Sequence, residues 1–196
     1  MKNTWIACKI FIALTIITGI IYPLTITGMS QLLFPDKANG SMIVNNNKIV
    51  GSVLIGQQFS KPEFFWGRPS AIANNPMPSG GSNMSPVGTA FKAVFLARVD
   101  TIRKYHGNIA LSAIPKDLLF ASGSGVDPEI SPEAAYFQID RIADCRNLNK
   151  NERNSLTRFV ESSIIKPDLI IFGETRINVL KLNIYLQSLE RKGGLQ

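Results

Sequence analysis

The sequence predicts a single N-terminal transmembrane helix followed by a compact mixed α/β extracytoplasmic domain. Three observations predict it. Residues 10–34 form a run of 25 positions without a charged side chain, dominated by Ile, Leu, Phe, Thr and Gly. Beyond the run, apolar residues recur with helical spacing in some stretches and with strand spacing in others. The basic residues nearest the run, Lys2 and Lys9, lie on its N-terminal side, whereas Asp36 and Lys37 offset each other on the other.

A bilayer-spanning helix needs about 20 apolar residues, so the run is long enough to cross with some tilt. A signal peptide has an apolar core of about 7–15 residues and ends at a small-residue cleavage site; this run instead continues through Tyr22 and Pro23 to Leu33 and Phe34. The expected reading is therefore an uncleaved anchor. Pro23 leaves one carbonyl without its helical partner and is expected to kink the span. Thr15, Thr18, Thr25, Thr27, Gly19 and Gly28 supply small surface of the kind that packs against other transmembrane helices. Basic residues flanking a span tend to stay in the cytoplasm. The expected division is a cytoplasmic N-terminus at residues 1–9, the transmembrane helix at 10–34 and the extracytoplasmic domain at 35–196.

Setting Lys2 and Lys9 aside from the 21 basic residues leaves 19 in the outer part against 14 acidic ones, a net of +5, with no long basic run or aromatic-basic stripe. That distribution, on that side of a membrane, argues against a nucleic-acid partner. Cys8 lies in or beside the span, so Cys145 has no partner for a disulfide within the outer domain. About 160 residues suffice for a core that holds itself together.

Two β-rich runs at residues 42–44 and 48–55 flank Asn45-Asn46-Asn47, and asparagine tolerates the positive φ of a tight turn, so a hairpin is predicted. Residues 57–88 show no periodicity and contain five prolines and four glycines. Phe59, Phe64, Phe65 and Trp66 anchor this stretch, giving an ordered irregular segment that presents "GRPSA" and "PSGGSN" at a surface. Residues 89–106 form an amphipathic helix with Phe91, Phe95, Val99 and Ile102 on one face, cations in the last turn and Gly107 as its terminator. That position explains His106, the sole histidine. A strand is predicted at 109–121, helices at 132–146 and about 151–165, and a short strand in "LIIFG" from Leu169. A final helix over about 176–191 is apolar on two faces and therefore deeply buried or shared with a partner.

"LLFASGSGVDPEISPEAA" (118–135) has the layout of a phosphate-binding loop, but counting removes that reading. From Gly123 and Gly125, the third glycine of a dinucleotide fingerprint falls on Pro128, and the Lys-Ser/Thr of a P-loop falls on Val126 and Asp127. Asp127 and Glu129 would repel a phosphate. A strand-to-helix turn accounts for the same residues, with Ser131 as cap, Pro132 in the first helical position and Glu133 in the first turn. Gly123 and Gly125 turn the chain. One histidine and one cysteine in the outer domain make no zinc site, the acids lack calcium-loop spacing, and Ser122 and Ser124 lack a nucleophile elbow.

"FFWGRPSA" (64–71), "PSGGSN" (78–83), "IPKDLLFASGSGVDPEIS" (114–131), "AAYFQIDRIA" (134–143) and "GETRINVLKLN" (173–183) together resemble the KdpC family, the small C subunit of the bacterial Kdp potassium-transporting P-type ATPase. The sequence departs from the usual family pattern at Met84, Ser85, Val126 and Glu129, the last standing where His is usual. The resemblance implies a non-catalytic accessory subunit in the bacterial inner membrane. Its expected partners are a channel-like A subunit, an ATP-hydrolysing B subunit, a very small F subunit and the lipid bilayer. The D-K-T-G phosphorylation motif is absent, since Asp36-Lys37 continues Ala-Asn.

The resemblance carries two proposals for the subunit: a catalytic chaperone that raises the ATP affinity of the B subunit, with Gln138 contacting nucleotide, or an outer domain that steadies the complex and supports potassium entry. Assembly and entry support is the favoured expectation. ATP enters only together with the ATP-hydrolysing subunit, and no intrinsic cofactor is expected. Charge counting puts Gln138 outside, away from ATP, and its helical position also suits a buried amide bonded to loop backbone. Partner-interface candidates are Trp66, Gly67, Arg68, Pro69, Ser79, Gly80, Gly81, Ser82, Asn83, Asn178 and Asn183. A membrane-anchored hydrolase or binding module unrelated to transport is the reading from a different class.

Overall fold

The computed structural model describes residues 2–45, 47–169 and 171–193 and divides the chain into two units, 1–52 and 53–196. In the first unit the charge-free run, apart from its last residue Phe34, lies in one long helix, Lys2–Leu33, with a mean hydropathy of 2.1 and no residue buried within the protein. Thirty-two helical residues extend about 48 Å, more than the ~30 Å hydrocarbon core requires. The helix is long and apolar enough to cross a membrane, and its all-round apolar surface needs an apolar surrounding.

Proline leaves its mark one turn upstream. Regular helix α1 (Lys2–Ile16) passes through a π-helical turn at Ile17–Ile21 into α2 (Tyr22–Leu33), and the amide of Tyr22 donates to the carbonyl of Ile17. The widened turn absorbs the bond that Pro23 cannot make. Thr15, Thr18 and Thr25 donate their hydroxyls to Phe11, Leu14 and Ile21 carbonyls at 2.7–2.8 Å. No hydroxyl of these three is left bare in an apolar surrounding, and what they offer a neighbouring helix is small size rather than a free donor.

Phe34, at φ −140° and ψ 56°, breaks the helix before the short α3 (Pro35–Ala38). Asn39 then links back, exchanging amide hydrogen bonds with Gln31 at 3.2 and 3.3 Å and donating to Pro35 at 2.8 Å. The predicted hairpin is present as antiparallel β1 (Met42–Asn45) and β2 (Lys48–Ser52), with a bulge between Ile43 and Val44. Asn47 takes the left-handed φ of 58° that the turn requires; Asn46 lies outside the described residues. The second strand ends at Ser52 instead of running to Ile55.

The second unit is a mixed helix/strand domain in which helices dominate. Its core gathers α4 (Thr89–His106), α5 (Pro132–Cys145), α6 (Lys150–Ser162) and α7 (Val179–Gly193) around Phe65, Ile102, Ile142, Leu156, Leu182 and Leu186. A two-stranded antiparallel ribbon, β3 (Glu129–Ile130) with β4 (Ile177–Asn178), ties the start of α5 to the start of α7. Helix α5 buries Ala135, Ile139, Ile142 and Ala143. Phe159 of α6 and Tyr185 of α7 stack at 3.8 Å and 6°. The two apolar faces of the last helix are explained by depth: Leu180, Leu182 and Leu186 are all buried.

Two predicted strands are corrected. Residues 109–121 form 3₁₀ turns at Leu111–Ala113 and Lys116–Leu118, with Pro115 between them removing a ladder donor. "LIIFG" is no strand among its described residues: Asp168 and Phe172 pair across a tight turn in which Leu169 has φ 50°. The final helix starts at Val179 rather than near Arg176, because Ile177 and Asn178 belong to the ribbon.

Candidate functional site

The irregular segment predicted at 57–88 is held residue by residue. Side chains from α5, α7 and the residue following α5 reach its backbone at five consecutive positions. Arg141 donates to the carbonyls of Pro62 and Phe64, and the Arg146 Nε donates to Glu63 at 2.6 Å. The Asn183 amide accepts from the Phe65 amide at 2.8 Å and donates to the Phe65 carbonyl at 3.0 Å. Gln138 does the same for Trp66, at 2.7 and 3.1 Å. Backbone without ladder partners must find others when buried, and here each partner is a side chain on a helix or directly after one.

Gln138 has no capacity left. Its Oε1 also accepts from Arg141 at 2.6 Å, its Nε2 also donates to Ala134 at 3.0 Å, and the residue is wholly buried. Arg141, 2% exposed, lies under the Trp66 ring at 3.8 Å and donates its Nε to His106 Nε2 at 3.1 Å. Burial brings its pKa down to about 10, so it stays protonated at neutral pH. His106 stacks on Phe137 at 4.4 Å, and burial, then the Arg141 charge, hold its pKa down to about 4 despite the opposing pull of Asp140. Neutral His106 is the acceptor that the Arg141 Nε needs.

The glycine loop is a clamp rather than an anion cradle. The amides of Gly125, Val126 and Glu129 donate to Ser122, Ser124 and Asp127 side chains within the loop, at 3.0–3.2 Å. Carbonyls of the same loop hold the irregular segment: Gly80 donates to Ser124, the Ser70 hydroxyl to Gly125, and Gly56 to Val126. Gly125, at φ 73°, could carry no side chain, since a Cβ there would lie 2.6 Å from the Gly80 carbonyl oxygen. Ser131 caps α5 by accepting from Ala134 at 3.2 Å, as expected.

The partner-interface candidates divide into two groups. Asn178 and Asn183 are buried at 3% and 1%. Asn178 donates to Val53 at 2.9 Å and caps α7 through the Lys181 amide at 3.1 Å. Trp66, Gly67, Arg68 and Pro69 are half-buried: the Arg68 guanidinium pairs with Asp127 at 3.0 Å, and the Pro69 carbonyl accepts from Ser122. Ser79, Gly81, Ser82 and Asn83 are exposed and Gly80 half-buried, beside the outward side chains of Met77 (81% exposed) and Val87 (95%). The exposed "PSGGSN" stretch and the clamped "GRPSA" stretch therefore lie on one ordered segment with different surroundings. Sequence reasoning missed Arg141 and its bond to His106, because 35 residues separate them and no local spacing signals the pair.

The family described as "KdpC: K+-transporting ATPase, c chain" matches residues 4–188. The chain belongs to the KdpC family. Proteins named "Potassium-transporting ATPase KdpC subunit" are similar to it throughout. That of Janthinobacterium sp. (strain Marseille) is 45% identical over 192 residues, covering 95% of this chain and 98% of the relative. That of Serratia proteamaculans (strain 568) is 46% identical over 183 residues, covering 91% and 94%. That of Dechloromonas aromatica (strain RCB) is 43% identical over 190 residues, covering 94% and 96%. The KdpC match takes in both the apolar helix and the clamped segment.

Proposed function

We propose that this chain is the non-catalytic accessory subunit of a high-affinity, ATP-driven potassium uptake complex in the bacterial inner membrane. It assembles with and steadies the channel-like A subunit, the ATP-hydrolysing B subunit and the small F subunit, and it supports potassium entry. The observation that carries the reading is the KdpC match over residues 4–188, which spans the apolar helix and the folded domain in one alignment. The helix supplies the anchor, and its uncovered small residues offer a packing surface to neighbouring helices. The N-terminus stays in the cytoplasm and the folded domain lies outside, as Lys2 and Lys9 imply.

On this reading the stretch 78–83 meets a partner subunit, since it is held in place at Gly80 and otherwise exposed. The alternative, a catalytic chaperone contacting ATP through Gln138, would require that side chain to release Trp66, Ala134 and Arg141 first. Co-purification tests assembly. Ser82→Glu is expected to leave the thermal midpoint of the isolated chain unchanged and to reduce recovery of the two large subunits several-fold. Full recovery with Ser82→Glu would place the interface elsewhere, and absence of any association with the wild-type chain would remove the reading altogether.

A further inference from the structure

A cavity of about 310 Å³ opens beside the clamped segment, walled by Arg68, Ser70 and Asn74 on one side, Arg98 of α4 on another, and Val179 and Leu180 of α7 on a third. Asp127 is the only carboxylate on its lining, and it pairs with Arg68 at 3.0 Å. Arg98 has no carboxylate within ion-pair distance among the described residues; its guanidinium donates to the Leu119 carbonyl at 2.7 Å. The Arg68 Nε is buried without any hydrogen-bond acceptor. The first turn of α7 contains no acidic residue, and its Val179 and Lys181 amides already donate to the Pro128 carbonyl and the Asn178 side chain.

We infer that this cavity is a carboxylate-binding site, in which the guanidiniums of Arg98 and Arg68, both on its wall, receive one anionic group. The charge count decides the class of ligand. Two guanidiniums face one carboxylate, so a cation would be repelled and a neutral ligand would leave the excess uncompensated. Burial already lowers the Arg98 pKa from its ordinary value, as expected for a cation that has lost water without gaining a counter-ion. A planar carboxylate suits guanidinium donors, and the volume admits a small dicarboxylate or an inserted acidic side chain. The inference goes beyond the proposed function and does not rest on it.

The test uses the full chain in detergent with succinate as probe and chloride at matched ionic strength as control. Succinate is expected to move the Arg98 guanidinium resonances saturably and to raise the thermal midpoint, because a ligand of the native state stabilises it. Arg98→Gln is expected to weaken binding at least tenfold, and Arg98→Lys to retain part of it. In the assembled complex, continued succinate binding identifies a free anion as the natural ligand. Exclusion of succinate, with co-purification weakened by Arg98→Gln, identifies an acidic side chain of a partner. An equal response to chloride, or undiminished binding in Arg98→Gln, would overturn the site. Should Arg98→Gln not fold, the contrast between succinate and chloride on the wild-type chain still decides.

Discussion

Gln138 joins a helix to a segment that has no secondary structure of its own, and each of its four amide bonds has a different partner group. Gln138→Leu leaves both backbone groups of Trp66 and one Arg141 donor unpaired inside the protein. The expected cost is about 3 kcal/mol, read as a lower denaturant midpoint at unchanged slope. His106 gives the pH counterpart. Its pKa is about 4 in the folded chain against 6.5 as its ordinary value, so the unfolded chain takes up the proton first. Its contribution to stability is complete above pH 6.5, declines as pH falls toward 4 and is lost below that. The thermal midpoint should fall across that window, and His106→Phe should flatten the fall. The sequence permitted a buried-amide reading of Gln138 from helical position alone, but it gave no sign of Arg141 and His106 meeting across 35 residues.

Among elements, those decided by local chemistry were readable and those decided by distant contacts were not. Helix α4 has the limits its periodicity and Gly107 predict, and α5 starts at the Ser131 cap. Residues 109–121 are apolar enough for a strand, yet among the described residues no neighbouring strand supplies a ladder, and Pro115 divides them into 3₁₀ turns. Gly123 and Gly125 both looked like turn residues; only Gly125 has a left-handed φ and a contact that excludes a side chain. Gly125→Ala should therefore destabilise by roughly 1–3 kcal/mol, while Gly123→Ala, with open space around it, should cost under about 1 kcal/mol. Equal losses would show that the loop does not close on residue 80 as described. Asn149→Ala removes one side of the α6 capping box and should cost about 1 kcal/mol, seen as a lower thermal midpoint.

At the scale of the whole molecule, the apolar helix and the family were legible because both depend on long stretches of sequence, one of uniform hydropathy and the other of ordered motifs. The clamp that holds residues 62–66 was not, because its partners come from two helices far along the chain. Sidedness follows from few charges and has its own test. With Lys166→Cys in a background lacking Cys8 and Cys145, an impermeant thiol reagent should label intact cells; labelling only after lysis would reverse the topology. On the proposed function this chain works as a partner-dependent, non-catalytic subunit. Potassium uptake driven by ATP is the direct measurement, in membranes carrying the two large subunits and the small one with or without this chain. Uptake is expected to collapse without the chain and to return when it is supplied, while the chain purified alone hydrolyses no ATP. Undiminished uptake in its absence, or ATP hydrolysis by the chain alone, would contradict it.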